Sequence, residues 1–545
     1  MINREASKDK RAVLIVGGGP VGLALGVDLA LRGIRTLLVE RRKPTIGLPK
    51  MNMVNARSME FSRRWGIADK AREIGCPGHL PQDVLFCTSL CGYELARFSY
   101  PSYDERGELP YTPEGSRRIS QMDYDPLLIE KARSLPEITL LHETECLGFT
   151  DEGDFVTARL RDLKTGAEST VDCEYLVGCD GAESSIRAAT GIAMDGPGQL
   201  SRNVNLIFST PDLVSEHDKG FAWANWLLGE NGYWGLVVSV DGRVMWRLSI
   251  ALPKDRDTIE ESEARALIAK AVGRPIDFEL RAVLPWVRRQ LVADSYRKGR
   301  VFIAGDAAHV MSPTGGLGMN TGLGDAVDLS WKLAAAIQGW GGPDLLDSYD
   351  AERRPIAAKN VAEAGDNFGK LRALPGSPAI FEDSDEGRAF RKRVNDIVMT
   401  GGYEKEYEQE GTVLGYRYSA SPLVTGAEDE AVTARNDGYT PSDAPGGRAP
   451  HIWVEPNVST IDMFWSGLTL VCVGDADAPD ATRIAADMSL PFQVLRLAPE
   501  KADGLFTRAF TLVRPDGHVA WRADSGDQDW RSVFGHALGF APVPA

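Results

Sequence analysis

Three short segments carry residues whose types and spacing could do chemistry. In the first, GGGPVG at residues 17–22, glycines recur in the order G-x-G-x-x-G. Gly17 permits a tight turn. Gly19 leaves room for a pyrophosphate to approach the backbone. Gly22 lets a following helix pack closely on a strand. Phosphate oxygens then meet free N–H groups at the helix start, which includes Pro20. Glu40 closes the next apolar run and is placed to accept hydrogen bonds from a ribose. Arg41 and Arg42 follow it, either beside the phosphate or ribose or simply solvated. The chemistry is dinucleotide binding, and this fingerprint alone does not separate FAD from NAD.

The second segment is VDCEYLVGCDGAESSIRAATGI, residues 171–192. A strand-like run, 175–179, ends at Asp180 and Gly181, and a helix opens near Ser184 and Arg187. Such a turn can hold a second nucleotide in the crevice of the same domain, although Asp-Gly is also a common turn. The third segment starts at GRVFIAGDAAH, residues 299–309. Its strand ends at Gly305-Asp306, where a carboxylate can bind the ribitol hydroxyls of a flavin. The loop PTGGLGMN, from Pro313 through Gly316, Gly318 and Met319 to Asn320, then leads into a long helix. Backbone N–H groups of such a loop can face the flavin N1 and O2 edge, where negative charge develops on reduction.

Strand, glycine turn, helix and strand must succeed one another to position the first segment. AVLIV at 12–16, VGLALGVDLALRG at 21–33 and TLLVE at 36–40 supply that order. Residues 195–290 change character and read as strands separated by turns. They are dense in aromatics, among them Trp223, Trp226, Tyr233 and Trp286, some of which should line an apolar pocket for a planar ring. A helical, charged stretch follows, and from about residue 410 the pattern breaks. A Pro/Gly-rich linker, 439–454, precedes a small α/β unit.

The whole chain has 545 residues and a formal charge of -16, which argues against general nucleic-acid binding but not against a small anionic cofactor. Apolar residues make up 43% and charged residues 25%, which excludes a mainly disordered chain. Seven cysteines without a CxxC read as scattered thiols in a reducing compartment. No segment offers eighteen uninterrupted apolar residues, and the N-terminus lacks the parts of a signal peptide. A cytoplasmic, water-soluble protein without membrane or metal association is expected.

GGGPVG at 17–22, Cys179-Asp180-Gly181 and GRVFIAGDAAH at 299–309 together resemble the single-component FAD-dependent aromatic hydroxylases, which share the para-hydroxybenzoate hydroxylase type of fold. The resemblance covers about residues 10–400. It implies an α/β, Rossmann-like FAD-binding domain with an inserted, mostly antiparallel substrate sheet. The expected boundaries are 1–194 and 291–409 for the FAD-binding domain, 195–290 for the sheet and 410–545 for the extension. It implies that Gly17, Gly19, Pro20, Gly22, Glu40 and Arg41 hold the ADP part, with Asp180 near FAD and reduced nicotinamide. Asp306 would bind the ribitol, and the Pro313–Asn320 loop would lie beside the isoalloxazine. Arg57 matches an arginine that contacts the flavin region, and Gln121 a glutamine near the FAD phosphates and ribitol.

The family activity uses NADH or NADPH and O2 to hydroxylate a phenolic ring through a flavin C4a-hydroperoxide. Such a reaction needs a hydrogen-bond acceptor near the phenolic oxygen. His309, Asn225, Asn52 and Tyr233 are the candidates, with Pro313 beside the flavin. Arg288 and Arg289 read as a solvated pair, with carboxylate binding as the alternative. Epoxidation, Baeyer–Villiger or decarboxylative oxidation of a polycyclic aromatic stays open, as does a non-catalytic FAD scaffold. GRAPHIWV at 447–454, STIDMF at 459–464 and RPDGHVAWR at 514–522 resemble the thioredoxin-like C-terminal domain of the phenol and polyketide hydroxylase branches. Cys472 is its only cysteine, so dithiol chemistry within it is not available, and a structural or homodimer-forming role is expected.

Overall fold

The computed structural model describes residues 11–44, 47, 49–50, 52–211, 213–215, 217–426, 438–502 and 504–540. The polar N-terminal segment 1–10 and part of the stretch after 410 lie outside them.

Short, branched, wholly apolar runs can bury both faces, which is what a central parallel strand requires. Arg11–Val16 pairs in parallel with Thr36–Glu40 on one side and with Glu168–Gly178 on the other. Ile138–His142 and Val301–Ile303 extend the parallel sheet at either side. The register brings Val16, Val39 and Ile303 level with Gly178 or with each other. All three glycine-containing turns therefore leave the carboxyl ends of adjacent strands, where nucleotides bind such sheets. The helix Pro20–Leu31 is buried along most of its length and packs under the long helix Leu317–Gln338. Gly17 cannot be replaced cheaply here. Its φ is +112°, and a Cβ would lie 2.3 Å from the Cys179 carbonyl oxygen.

The second sheet has eight strands. Its two longest strands, Met194–Ser209 and Glu279–Ala293, pair antiparallel; the short edge strand His309–Val310 flanks the second of them, and Met245–Ala251, Gly232–Ser239 and Ala224–Gly229 follow the first. Val84–Cys87 and Glu94–Phe98 complete it from the segment expected to belong to the nucleotide domain alone. VLFC is a four-residue run with no alternation, so its partner could not be read locally. Trp246, Leu248 and Ile250 bury the far face against the helix Glu261–Val272. The residues between them face the other way, toward the nucleotide domain.

The C-terminal unit is a four-stranded mixed sheet in the order Phe492–Leu497, Leu468–Val473, Phe510–Val513, Val519–Ala523. Helices Pro479–Asp487 and Trp530–Ala537 cover it. Its core is continuous with Trp331, Ala335 and Trp340 of the nucleotide domain. Buried ion pairs also cross this boundary. Arg514 bonds Glu352, and Arg448 bonds Glu60. The carboxylates Asp328, Glu352 and Asp516 lie close together but are already met by Lys332 and Arg514, so cations of the chain itself occupy this cluster. No helix among the described residues is long and apolar enough to cross a membrane.

Candidate active site

The helix Pro20–Leu31 begins at Gly19 without a side-chain cap, so its first N–H groups stay available. A Cβ at Gly19 would meet nothing within 4 Å, which leaves a cradle in front of the helix. At Gly22 a Cβ would come 2.0 Å from the Gly17 carbonyl, so close packing requires glycine there. Glu40 binds the loop itself. One carboxylate oxygen accepts the Gly18 N–H at 2.7 Å and the other the Arg42 N–H at 2.8 Å. Each oxygen keeps a second lone pair for a ribose hydroxyl. Arg41 is exposed.

Asp180 caps the helix Ser185–Thr190. It accepts the backbone N–H groups of Ser185 at 2.7 Å and Ile186 at 3.2 Å. Arg187 donates to the carbonyls of Ala307 (2.8 Å) and Ala182 (3.0 Å), tying the Asp-Gly turn to the Gly-Asp turn. Asp306 opens on a cavity and forms no hydrogen bond with another described residue. Its side chain is exposed to the cavity; desolvation by the protein around it raises its carboxyl, and His309 and Lys50 pull it back. An unpaired acceptor of this kind suits ribitol hydroxyls.

Two backbone turns in the left-handed region, Gly315 (φ +83°) and Gly316 (φ +64°), deliver the uncapped start of the helix Leu317–Gln338 to the same cavity. Asn320 clamps this loop. Its amide donates to the carbonyls of Gly316 (2.7 Å) and Met53 (3.1 Å) and accepts the Asn55 N–H at 3.0 Å. Pro313, Thr314, Gly315 and Gly316 line the cavity, whereas Met319 packs on the nucleotide-domain core and Gly318 lies against Met311. Gln121 donates to Asp125 at 3.0 Å. The other Asp125 oxygen is buried without a partner among the described residues, and burial pushes the carboxyl up to about 7. The open cradle, the free helix N-termini and these unpaired acceptors fit FAD: phosphates at Gly17–Gly22, ribitol at Asp306 and ring at the Pro313–Gly316 loop.

The cavity measures about 620 Å³ and lies between that loop and the second sheet. Trp226, Tyr233 and Trp286 form aromatic walls, and Asn52, Arg247, Arg288 and Glu406 bring polar groups to it. The Trp226 and Tyr233 rings meet edge to face at 5.4 Å, and the Trp226 indole N–H donates to the Tyr407 hydroxyl at 2.6 Å. Asn52 Nδ2 is sealed from solvent and has no partner among the described residues. Glu406 accepts the Gly315 N–H at 3.1 Å, and burial pushes its carboxyl up to about 7. Burial likewise raises the Tyr233 hydroxyl to about 12, so it stays a donor at neutral pH.

Four expected positions are corrected. Asn225 does not line the cavity. Ala224 and Trp226 do, so strand alternation turns Asn225 to the opposite face, where it donates to the Ala222 carbonyl at 3.1 Å. His309 is fully buried outside the lining, and its Nε2 is 2.8 Å from Asp325. Asp325 also accepts the Gly305 N–H at 3.1 Å and Arg353 Nε at 2.9 Å, so His309 braces the Gly-Asp turn instead of meeting a substrate. Arg57 is spent on Glu60 (2.8 Å) and the Asp516 carbonyl (2.7 Å), joining the C-terminal unit to the nucleotide domain. Arg288 is not half of a solvated pair. It is buried, bonded to Ser312 and stacked over Phe368, whereas Arg289 pairs with Glu183 near the surface.

Glu406 and Arg247 were not anticipated. Glu406 lies far along the chain from the sheet it faces, beyond two long helices, and no local signal marks it. Arg247 did carry one. In MWRLSIA the apolar residues alternate with Arg and Ser, which marks the polar pair as sharing one face.

Residues 10–364 match the family described as FAD binding domain, and residues 442–541 match the aromatic-ring hydroxylase C-terminal family. A putative polyketide hydroxylase of Streptomyces halstedii is 35% identical over 94% of this chain and 93% of its own length. The 2,4-dichlorophenol 6-monooxygenase of Cupriavidus pinatubonensis is 30% identical over 94% of this chain and 93% of its own. Among solved structures, the rebeccamycin biosynthetic enzyme RebC with reduced flavin superimposes with a TM-score of 0.91 at 36% identity, covering 98% of this chain and 99% of that one.

Proposed function

The chain belongs to the FAD-dependent aromatic-ring hydroxylases, and from that premise we propose that it uses NADH or NADPH and O2 to place one oxygen atom on a phenolic ring. It is an enzyme of the monooxygenase class. The observation that carries the substrate reading is the position of Glu406. It lines an aromatic-walled cavity and is bonded to the loop that cradles the flavin ring.

Bound FAD supplies the hydride acceptor and the centre at which O2 is reduced. The chain's own residues do the rest. Gly17–Gly22 hold the phosphates on backbone N–H groups, and Asp306 accepts from ribitol hydroxyls. The N–H groups at the start of Leu317–Gln338 stabilise negative charge at the ring edge. Trp226, Tyr233 and Trp286 hold a planar substrate and exclude water. Glu406 takes the proton of the phenolic hydroxyl, which raises the electron density of the ring. Its pKa near 7 suits a base that works at neutral pH. Tyr233 donates a hydrogen bond to the bound ring system.

Purified yellow protein tests this directly. Phenols should stimulate NADH or NADPH oxidation together with O2 uptake. Stimulated oxidation that yields only hydrogen peroxide, across simple, bicyclic and polycyclic phenols, contradicts the reading.

A further inference from the structure

Arg247 is a cation without a counterion among the described residues. It stands between Trp246 and Leu248, whose side chains enter the core on the far face of the sheet. Alternation turns Arg247 and Ser249 into the cavity, and both line it. Its Nε is sealed from solvent and unbonded, and the side chain forms no hydrogen bond or ion pair with any described residue. Burial is the one influence on its guanidinium, which it pulls down to about 10, with no carboxylate to offset it. The other cavity arginines are engaged. Arg118 donates to Gln82 at 3.0 Å and lies over the Trp223 ring. Arg288 is bonded to Ser312, stacks on Phe368 and feels the charge of Glu406.

A second free donor adjoins it. Ser249 pairs with Asn205 and Arg247 with Ile207 on the neighbouring strand, so Asn205 and Arg247 are diagonal neighbours on one face. The Asn205 oxygen accepts from Ser249 Oγ at 2.8 Å and from the Trp286 indole N–H at 3.0 Å. An indole N–H only donates, which fixes the amide orientation. The Asn205 NH2 is left without a partner among the described residues.

An unpaired guanidinium enclosed by protein is unfavourable until an anion joins it. Its planar fork matches two oxygens at once, and a carboxylate offers two where a phenolate offers one. We infer that the aromatic substrate carries a carboxylate, which Arg247 and Asn205 hold against the sheet while the phenolic end faces Glu406. This deepens the hydroxylase reading and rests on it for the orientation of the ring.

Calorimetric titration of the FAD-loaded protein with 6-hydroxy-2-naphthoate, its methyl ester and 2-naphthol tests the inference without turnover. The acid should bind about tenfold or more tightly than either neutral ligand. R247Q should erase that preference, and R247K should keep part of it, with flavin content and melting temperature as in the parent protein. Equal affinity for acid and ester in the unaltered protein overturns the inference, as does an acid that fails to bind, or a preference that survives in R247Q. The ester comparison needs no variant, so a misfolded R247Q does not shield the claim. Labelled O2 in the product of 2-naphthol without an acid preference overturns this inference alone. An acid preference without oxygenation of any phenol overturns the hydroxylase reading alone.

Discussion

Glu406 accepts a hydrogen bond from the Gly315 N–H at 3.1 Å, which fastens a cavity carboxyl to the loop proposed to hold the flavin ring. Burial holds this carboxyl near 7. As the proposed base, it should impose a rising limb on the pH profile of kcat/KM with a midpoint near 7. E406Q should lose the limb and roughly 100-fold or more in kcat. Initial rates across pH check this.

The same residue makes a stability prediction. Its folded pKa lies above the unfolded value of about 4.3, so the folded protein keeps a proton that the unfolded chain releases. Stability from this proton is complete below about 4.3 and is lost as pH rises toward about 7. Chemical denaturation should show E406Q gaining on the parent over that interval and holding a constant advantage above it.

Gly19 separates ligand binding from folding. The chain leaves open space at its missing Cβ, and its φ of -76° suits any residue. G19A should fold with an unchanged apoprotein melting temperature and yet emerge with little flavin, because its methyl group would fill the space proposed for the pyrophosphate. D306A should weaken FAD by about 10- to 100-fold through loss of charge-assisted hydrogen bonds. Flavin absorbance per protein and titration of the apoprotein measure both.

Much of this site was legible because backbone chemistry demands particular residues at particular spacings. Gly17, with a left-handed φ and a carbonyl 2.3 Å from any Cβ, could be read from one stretch of sequence. So could the strand that ends at Asp306. The substrate side was less legible because its polar residues come from distant segments. Asn225 looked promising by type, but one residue of strand phase turns it away. Arg57 looked like a flavin contact, but a carbonyl of the C-terminal unit takes it. Glu406 reaches the cavity through tertiary packing alone.

Glu60 joins the C-terminal unit to the nucleotide domain. Burial would raise its carboxyl, but Arg448 and Arg57 more than offset this and hold it near 2. A depressed folded value contributes stability that is present above about 4.3 and lost as pH falls toward about 2. E60Q should lose about 3–5 kcal/mol at neutral pH, because two buried guanidinium groups lose their counterion. The difference from the parent should shrink on acidification between those values, as followed by urea denaturation.

Cys472 should be silent in redox chemistry. It is fully buried, and burial pushes its thiol up to about 11. Native protein at about pH 8 should resist iodoacetamide at this position, and C472A should keep full activity with or without dithiothreitol. Peptide mass spectrometry and rate assays decide it.

The most direct measurement of the central claim is the fate of labelled O2. FAD-loaded protein, reduced nicotinamide and a panel of phenols that includes 6-hydroxy-2-naphthoate are incubated under the labelled gas. Mass spectrometry should find a product one oxygen heavier whose added atom carries the label. Peroxide as the sole reduced oxygen species, or an added oxygen derived from water, would contradict the account.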